Sequence, residues 1–465
     1  MNYIQTAPTG QDGFEHSPQY LLIPSSLHGF RNTATQECID KHGRSVLVHY
    51  GQLDLSQEER ICEHCGSFMY INDHHDITLL HVPHGRSLSA LKLPHNQLRC
   101  PACGATCGQQ IHFKAQGHRI TQQLYIYVRD LLALGTFTNK QICEITGLGK
   151  NVVKGIDLKR LQERYTIQGK LIKPERKAKF LGIDEFSLHH GHRYATIIID
   201  LETGHILWIA YGKKKKVVYE FIKHVGLKWM ESVEAVACDM NSDFQEAFEE
   251  LCPHIQPVFD RFHIVKNFND KVVSEVRRAE QRRLIEAGDA EGARSLKRTR
   301  FILTSKRESL RRKDAEATGG KVIRKASPLF GTEQIVRKGG LEQKYDELLA
   351  QNKLLFTLDL VKEKLADAYA ERSETRMAQK ISDIIDICRA TDSKPLLWFV
   401  RLLDTHFEGI IAHATYPISS GKVEGINQRI KTLRRQGYGY PDDEYFFLKL
   451  LDMSRSHDNS KNQIT

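Results

Sequence analysis

The stretch Lys179–Ile209, KFLGIDEFSLHHGHRYATIIIDLETGHILWI, decides how the rest of the chain is read. Phe180–Ile183 is a short apolar run that ends in Asp184. A polar turn, Leu188–Arg193, holds Gly191, and a second apolar run, Tyr194–Ile199, ends in Asp200. The turn Glu202-Thr203-Gly204 leads to a third run, His205–Ala210. Three β-rich runs separated by turn residues predict an antiparallel meander. Asp184 lies in its first strand among Leu181, Ile183 and Phe186. A carboxylate in a buried strand is costly unless a cation or strong donors meet it. What meets Asp184 therefore becomes the question.

On the C-terminal side, Glu234–Met240 (EAVACDM) is another β-rich run that ends in an acid, Asp239. Asn241-Ser242-Asp243 then opens a helix, Phe244–Leu251, and Ile255–Asp260 (IQPVFD) reads as the next strand. Arg261-Phe262-His263 begins a region, about 264 to 410, that predicts helices and almost no strands. Within it, Arg277–Lys313 holds thirteen Lys/Arg against five Asp/Glu. Such a run is either a solvated face or a surface that tracks phosphates. The run Ser419–Lys431 predicts a helix with Val423, Ile426, Ile430 and Leu433 on its apolar side. Glu424, Asn427, Lys431 and Arg435 fall on another ridge, because i+3, i+7 and i+11 return nearly to the starting angle. An acid, an amide and two cations in a row suit a metal, a phosphate and a DNA backbone.

On the N-terminal side, residues 1–60 carry little periodic signal beyond a plausible strand at Ser45–Tyr50. Cys62-x-x-Cys65-Gly66 is followed, 34 residues later, by Cys100-x-x-Cys103-Gly104. Two such knuckles predict a Cys₄ zinc ribbon, with Ile77–Val82 supplying a ribbon strand. Cys107 and His64, His74, His75, His81 and His84 rank below the four cysteines as ligands. Residues 120–164 read as three helices, the second opened by a Thr138–Gln141 capping box. The third, from Lys150, turns Val152, Val153, Ile156 and Leu161 inward and Asn151, Lys154, Lys159 and Arg160 outward. That pattern predicts a helix-turn-helix whose last helix enters a DNA major groove. Gly169–Lys179 is a basic linker, and Gly212–Lys216 (GKKKK) reads as a solvated helix start.

At 465 residues the chain predicts several domains. Lys+Arg exceeds Asp+Glu by 67 − 57 = 10, with a sequence pI of about 9.0, which favours polyanions and nucleic acid before membrane. No run of about 18 apolar residues is present, so no membrane span is expected. The start, MNYIQTAPTGQDGFEHS, lacks a secretory signal, so the expected location is the cytoplasm, at the nucleoid when DNA-bound. Five of the ten cysteines fall between Cys62 and Cys107, which suggests metal rather than disulfides.

The order of these parts resembles the DDE transposases of the ISL3 insertion-sequence family over about residues 60–455. The pieces that carry the resemblance are FLGIDEFSL (180–188), ACDM (237–240), DRFHIVK (260–266) and VEGINQRIKTLRRQGYGY (423–440). The resemblance implies a multidomain α+β chain: a zinc ribbon in 1–115, a helix-turn-helix in 116–170, and an RNase H-like catalytic domain in 171–265 and 411–465. An all-helical insertion at 266–410 interrupts that domain. It implies a catalytic triad of Asp184, Asp239 and Glu424 holding Mg²⁺ or Mn²⁺, with Zn²⁺ on Cys62, Cys65, Cys100 and Cys103. Asp260-x-x-His263 resembles a motif shared by such families, with Asp260 alternatively a plain helix cap. Double-stranded DNA is the implied partner, bound as a homodimer or higher oligomer. The rival reading is a non-catalytic DNA-binding regulator derived from a transposase.

Overall fold

The computed structural model describes residues 27, 29–189, 193–240, 242–327, 331–336, 338–419, 421–437 and 440–461. Its contacts divide the chain into two units, Met1–Ile172 with Lys431–Thr465, and Lys173–Ile430.

The first unit opens with a sheet larger than a ribbon. Its strands are β1 (Phe30–Ile39), β2 (Ser45–Leu53), β3 (Tyr70–His84), β4 (Ser87–Arg99) and β5 (Thr106–Gly108). They lie in the order β1-β2-β4-β3, with β5 on β4, and only β2 and β4 run parallel. Three helices follow, Gln122–Ala133, Asn139–Thr146 and Lys150–Tyr165. The Thr138–Gln141 capping box forms as expected, and Gly147 ends the second helix at φ 75, a left-handed turn that suits glycine. Ile142, Val153, Ile156 and Leu161 are fully buried.

The third helix departs from expectation on its outer side. Asn151 and Lys159 are exposed and Lys154 is half-buried, but Arg160 is buried with Asp157. The reason is a second partner, the helix Asp443–Lys461, which lies along Lys150–Tyr165. Arg160 donates to Asp157 and to Asp452 at 2.8 Å each, Tyr165 donates to Asp452, and Tyr445 and Lys449 donate to Asp157. Arg160 therefore neutralises two buried carboxylates rather than facing outward. Lys154 pairs with Asp442 at 2.8 Å. The stretch 411–465, expected as one catalytic piece, thus includes a helix that packs on the N-terminal trio.

The second unit, after the short strands β6 (Thr166–Ile167) and β7 (Lys170–Leu171), holds a five-stranded sheet. β8 (Phe180–His189), β9 (Arg193–Asp200) and β10 (Ile206–Tyr211) form the expected antiparallel meander. The buried Asp200 tightens its second turn by accepting from Glu202 N and Thr203 Oγ1. β11 (Ala235–Cys238) and β12 (Gln256–Phe259) add in parallel on the far side of β8, giving β10-β9-β8-β11-β12. A large apolar core joins this sheet to the helices around it and to those of 274–411. The block expected to be all-helical contains one hairpin, β13 (Ile323–Ser327) with β14 (Gly331–Ile335). No helix of the described residues is long and apolar enough to cross a membrane.

Candidate active site

The parallel strands put acids in a row. β8 and β11 pair Phe180 with Ala235, Leu181 with Val236 and Gly182 with Ala237. Two residues further along this register, Asp184 stands opposite Asp239. β11 and β12 end their ladder on Cys238 and Phe259, so Asp239 stands opposite Asp260 in the same way. Register-matched residues point to one face, and in open sheets of this kind the carboxyl ends of parallel strands are where ligands bind.

The three acids do different work. Asp260 is buried and caps the helix Arg261–Asn267, its Oδ1 accepting from Phe262 N at 2.8 Å. Asp260 thus makes the N-cap bond that one of its two readings expects. Its motif partner, His263, brings Nδ1 to 3.4 Å from Asp239 Oδ1, while Asp239 itself is about half exposed. Asp184 is mostly enclosed. Its Oδ1 accepts from Glu185 N at 2.8 Å and its Oδ2 from Asn427 Nδ2 at 2.6 Å.

Asn427 reaches Asp184 because of a glycine. A Cβ on Gly182 would lie 2.6 Å from Val423 Cγ2 and 2.8 Å from Leu201 Cδ2, so only glycine lets the helix Gly421–Gln436 come this close. Four helical residues rise about 6 Å, and two strand residues about 6.6 Å. Val423 over Gly182 thus sets Asn427 over Asp184. Glu424 lies one turn before Asn427 on the exposed side of this helix, and Lys431 and Arg435 are exposed further along it. The oxygens of Asp184, Asp239 and Glu424 do not gather within 4.8 Å of one another; among the described residues only the four cysteines do so. His406 was not anticipated. It ends the helix Lys394–Thr405, packs edge-on against Phe259, and has its pKa lowered by burial against an opposing pull from Asp239. A lone histidine far along the chain gave no sequence signal.

Burial pushes the Asp184 carboxyl above the ordinary range, and the Asp239 charge adds to this against the Glu185 N–H, His263 and Asn427. Asn427 Oδ1 is buried without a partner. Two like charges and a spare oxygen donor fit a hard divalent cation such as Mg²⁺ or Mn²⁺. A raised carboxyl pKa contributes stability that is complete below the unfolded value and lost as pH rises through the folded one. Asp184→Asn should therefore raise the thermal midpoint of the cation-free protein at pH 7, by a few degrees. The gain should vanish below the ordinary carboxylate pKa of about 4. The asparagine can keep both bonds, because an Asn427 flip offers it the unpartnered Oδ1. Scanning calorimetry at pH 7 showing a less stable variant would refute the strain on Asp184.

The cysteine cluster is clearer. The 34 residues between the pairs are the single hairpin β3–β4, whose last rung joins Tyr70 to Arg99 and sets the knuckles side by side. The knuckles match: Gly66 N bonds Cys62 O and Gly104 N bonds Cys100 O, with Gly66 at φ 71 and Gly104 at φ 72. Cys62 and Cys103 sulfurs lie 3.6 Å apart, and Cys65 and Cys100 sulfurs 3.5 Å. Four thiolates at 2.3 Å from one zinc would be spaced about 3.8 Å. The residues fit zinc. Hydrogen bonds from Ser67 hold the Cys65 thiol down to about 6, while the neighbouring sulfurs push the Cys103 thiol up to about 12, so a metal must displace protons from part of the cluster. Cys107 stands outside the group against Met69.

This chain belongs to the ISL3 family of DDE transposases, whose profile, described as transposase, matches residues 181–450. It is 26% identical over 434 residues to the transposase for insertion sequence element IS1001 of Bordetella parapertussis, covering 92% of this chain and 97% of that protein. It is 24% identical over 261 residues, 56% of each chain, to the transposase for insertion sequence element IS1557 of Mycobacterium tuberculosis.

Proposed function

We propose that this transposase cuts the ends of its insertion sequence and joins them to target DNA through Asp184, Asp239 and Glu424. The observation that carries the reading is the register match of Asp184 and Asp239 at the carboxyl ends of β8 and β11, with the Glu424 helix seated on Gly182. A sheet of order β10-β9-β8-β11-β12, with its first three strands antiparallel, is the order an RNase H-like catalytic domain uses. Mg²⁺ or Mn²⁺ held by these carboxylates supplies the Lewis acidity for phosphodiester hydrolysis and for attack by the freed 3′-OH. Asn427 fixes the Asp184 carboxylate, and His263 does the same for Asp239. Lys431 and Arg435 meet phosphates near the site.

The trio 122–165 acts as a helix-turn-helix on the terminal inverted repeats, through Asn151, Lys154 and Lys159, with the cysteine-bound zinc fixing the sheet beside it. The active form is a homodimer or higher oligomer that brings two element ends together. The chain works in the cytoplasm, at the nucleoid. Incubating purified protein with a repeat-flanked fragment, a plasmid target and Mg²⁺ tests this: joined products are expected, and cleavage without joining would make it a nuclease only.

The basic segment Arg277–Lys313 gives a separate expectation. Several of its cations are committed within the protein, such as Arg300 to Asp270 and Arg311 to Glu342. Arg282, Lys297 and Arg298 are exposed. Reversing these three should weaken binding to all sequences alike and flatten the salt dependence, its slope falling by roughly 1 for each phosphate no longer neutralised. Binding titrations between low and moderate salt with an unchanged slope would make the segment a solvated face.

A further inference from the structure

The N-terminal sheet holds a cluster that neither the cysteines nor the acid row uses. His81 on β3 pairs with Ser89 on β4, and His49 on β2 pairs with Leu91, two residues further along β4. Register partners and i+2 neighbours share a face, so His49, His81 and Ser89 point to the same side. His49 is 0%, His81 1% and Ser89 1% exposed. His84, at the end of β3, brings its ring centroid to 6.2 Å from His49 and 6.4 Å from His81. Both buried rings are anchored at Nδ1, His49 by Thr35 Oγ1 at 3.0 Å and His81 by Thr121 Oγ1 at 2.9 Å. His49 Nε2, His81 Nε2 and Ser89 Oγ are buried without a hydrogen-bond partner. Each such atom costs about 1–3 kcal/mol when nothing answers it.

We propose that His49, His81 and His84 form a second metal site, for Zn²⁺ or a similar borderline divalent cation, separate from the cysteine cluster. With the proton on Nδ1 facing the threonine oxygen, Nε2 presents its lone pair inward, as metal-binding histidines do when a neighbour holds the other ring nitrogen. Three imidazoles leave a fourth position for water beside Ser89 Oγ. A set of neutral nitrogens selects zinc, copper or nickel over Mg²⁺. Three imidazoles on one ion at about 2.1 Å stand roughly 5 Å apart by centroid. The present spacing is wider, and among the described residues no histidine trio gathers its nitrogens within 4.8 Å, so binding draws the rings inward by side-chain rotation.

The test uses the full chain, stripped with chelator, dialysed against Zn²⁺ and measured by elemental analysis. About two zinc per wild-type chain are expected, with about one in His49→Gln, His81→Gln and Cys100→Ser alike. Co²⁺ in Cys100→Ser should show d–d absorption without thiolate charge transfer. Wild-type protein holding one zinc overturns the proposal, whatever the variants do, and leaves water as the occupant. Two zinc in wild type and two in His81→Gln overturns it as well.

Discussion

Asp184→Asn, Asp239→Asn and Glu424→Gln should each lower end cleavage and strand transfer by at least about 10³-fold in Mg²⁺. Each amide keeps the size and most of the hydrogen bonding but removes the charge that a hard cation needs. A loss of that size corresponds to about 4 kcal/mol of transition-state stabilisation, within what a metal supplies. Repeat binding should persist, because it is assigned to residues outside this site. The three variants are not equivalent in the resting protein. Asp184 is half-buried and held by Asn427, whereas Glu424 is exposed and the three acids do not yet converge. Glu424→Gln should therefore leave the cation-free thermal midpoint unchanged while removing activity, and Asp184→Asn should raise it. Cysteine in place of an acid should fail with Mg²⁺ and regain some cleavage with Mn²⁺, which accepts softer ligands. Wild-type cleavage by any one of the three amide variants, in a gel assay with Mg²⁺, would remove that residue from the site.

How much of this was legible depended on whether a feature is local. Asp184 and Asp239 stood out because each ends an apolar run, and the meander followed from Gly204 and the polar turn before it. Asp200 and Asp260 end apolar runs in the same way, yet one tightens a turn and the other caps a helix. Sequence pattern alone does not separate these four, since the difference lies in which strand each is paired with. Helix phase set Asn427 one turn after Glu424 on a polar ridge, yet Asn427 is buried where Glu424 is exposed, and its bond to Asp184 depends on the close approach at Gly182. Arg160 differs from its expected place for a similar reason. One face of its helix packs on the trio, and a polar second face looks solvent-exposed until the helix Asp443–Lys461 returns to cover it. In the N-terminal sheet the strands expected at Ser45–Tyr50 and Ile77–Val82 lie within β2 and β3, whereas β1, β4, β5 and the hairpin at 323–335 were not anticipated, since strands such as the half-exposed β1 lack strict alternation.

Cys100→Ser should cost the protein its cysteine-bound zinc and, with it, specific binding to the terminal repeats. Cys100 is the most buried of the four ligands and sits in a small core with Cys62, Met69 and Leu98. That core alone is too small to hold two knuckles and the open end of a 34-residue hairpin segment in place. A zinc held there would close the structure by joining Cys62–Cys65 to Cys100–Cys103, and structural zinc in such sites contributes on the order of 10 kcal/mol of folding free energy. Removing one thiolate leaves three ligands and a polar hydroxyl in a buried place, so affinity should fall by several orders of magnitude. The damage should stay local at first, because β4 keeps its pairing to β2, and β3 its pairing to β4, further down the sheet. Limited proteolysis should then cut between Ile61 and Phe68 and around Cys107 in the variant, and in wild type only after chelation. Wild-type protein that carries no zinc at the cysteines, shown by unchanged thiol reactivity with and without chelator, and still binds its repeats would exclude a structural metal there.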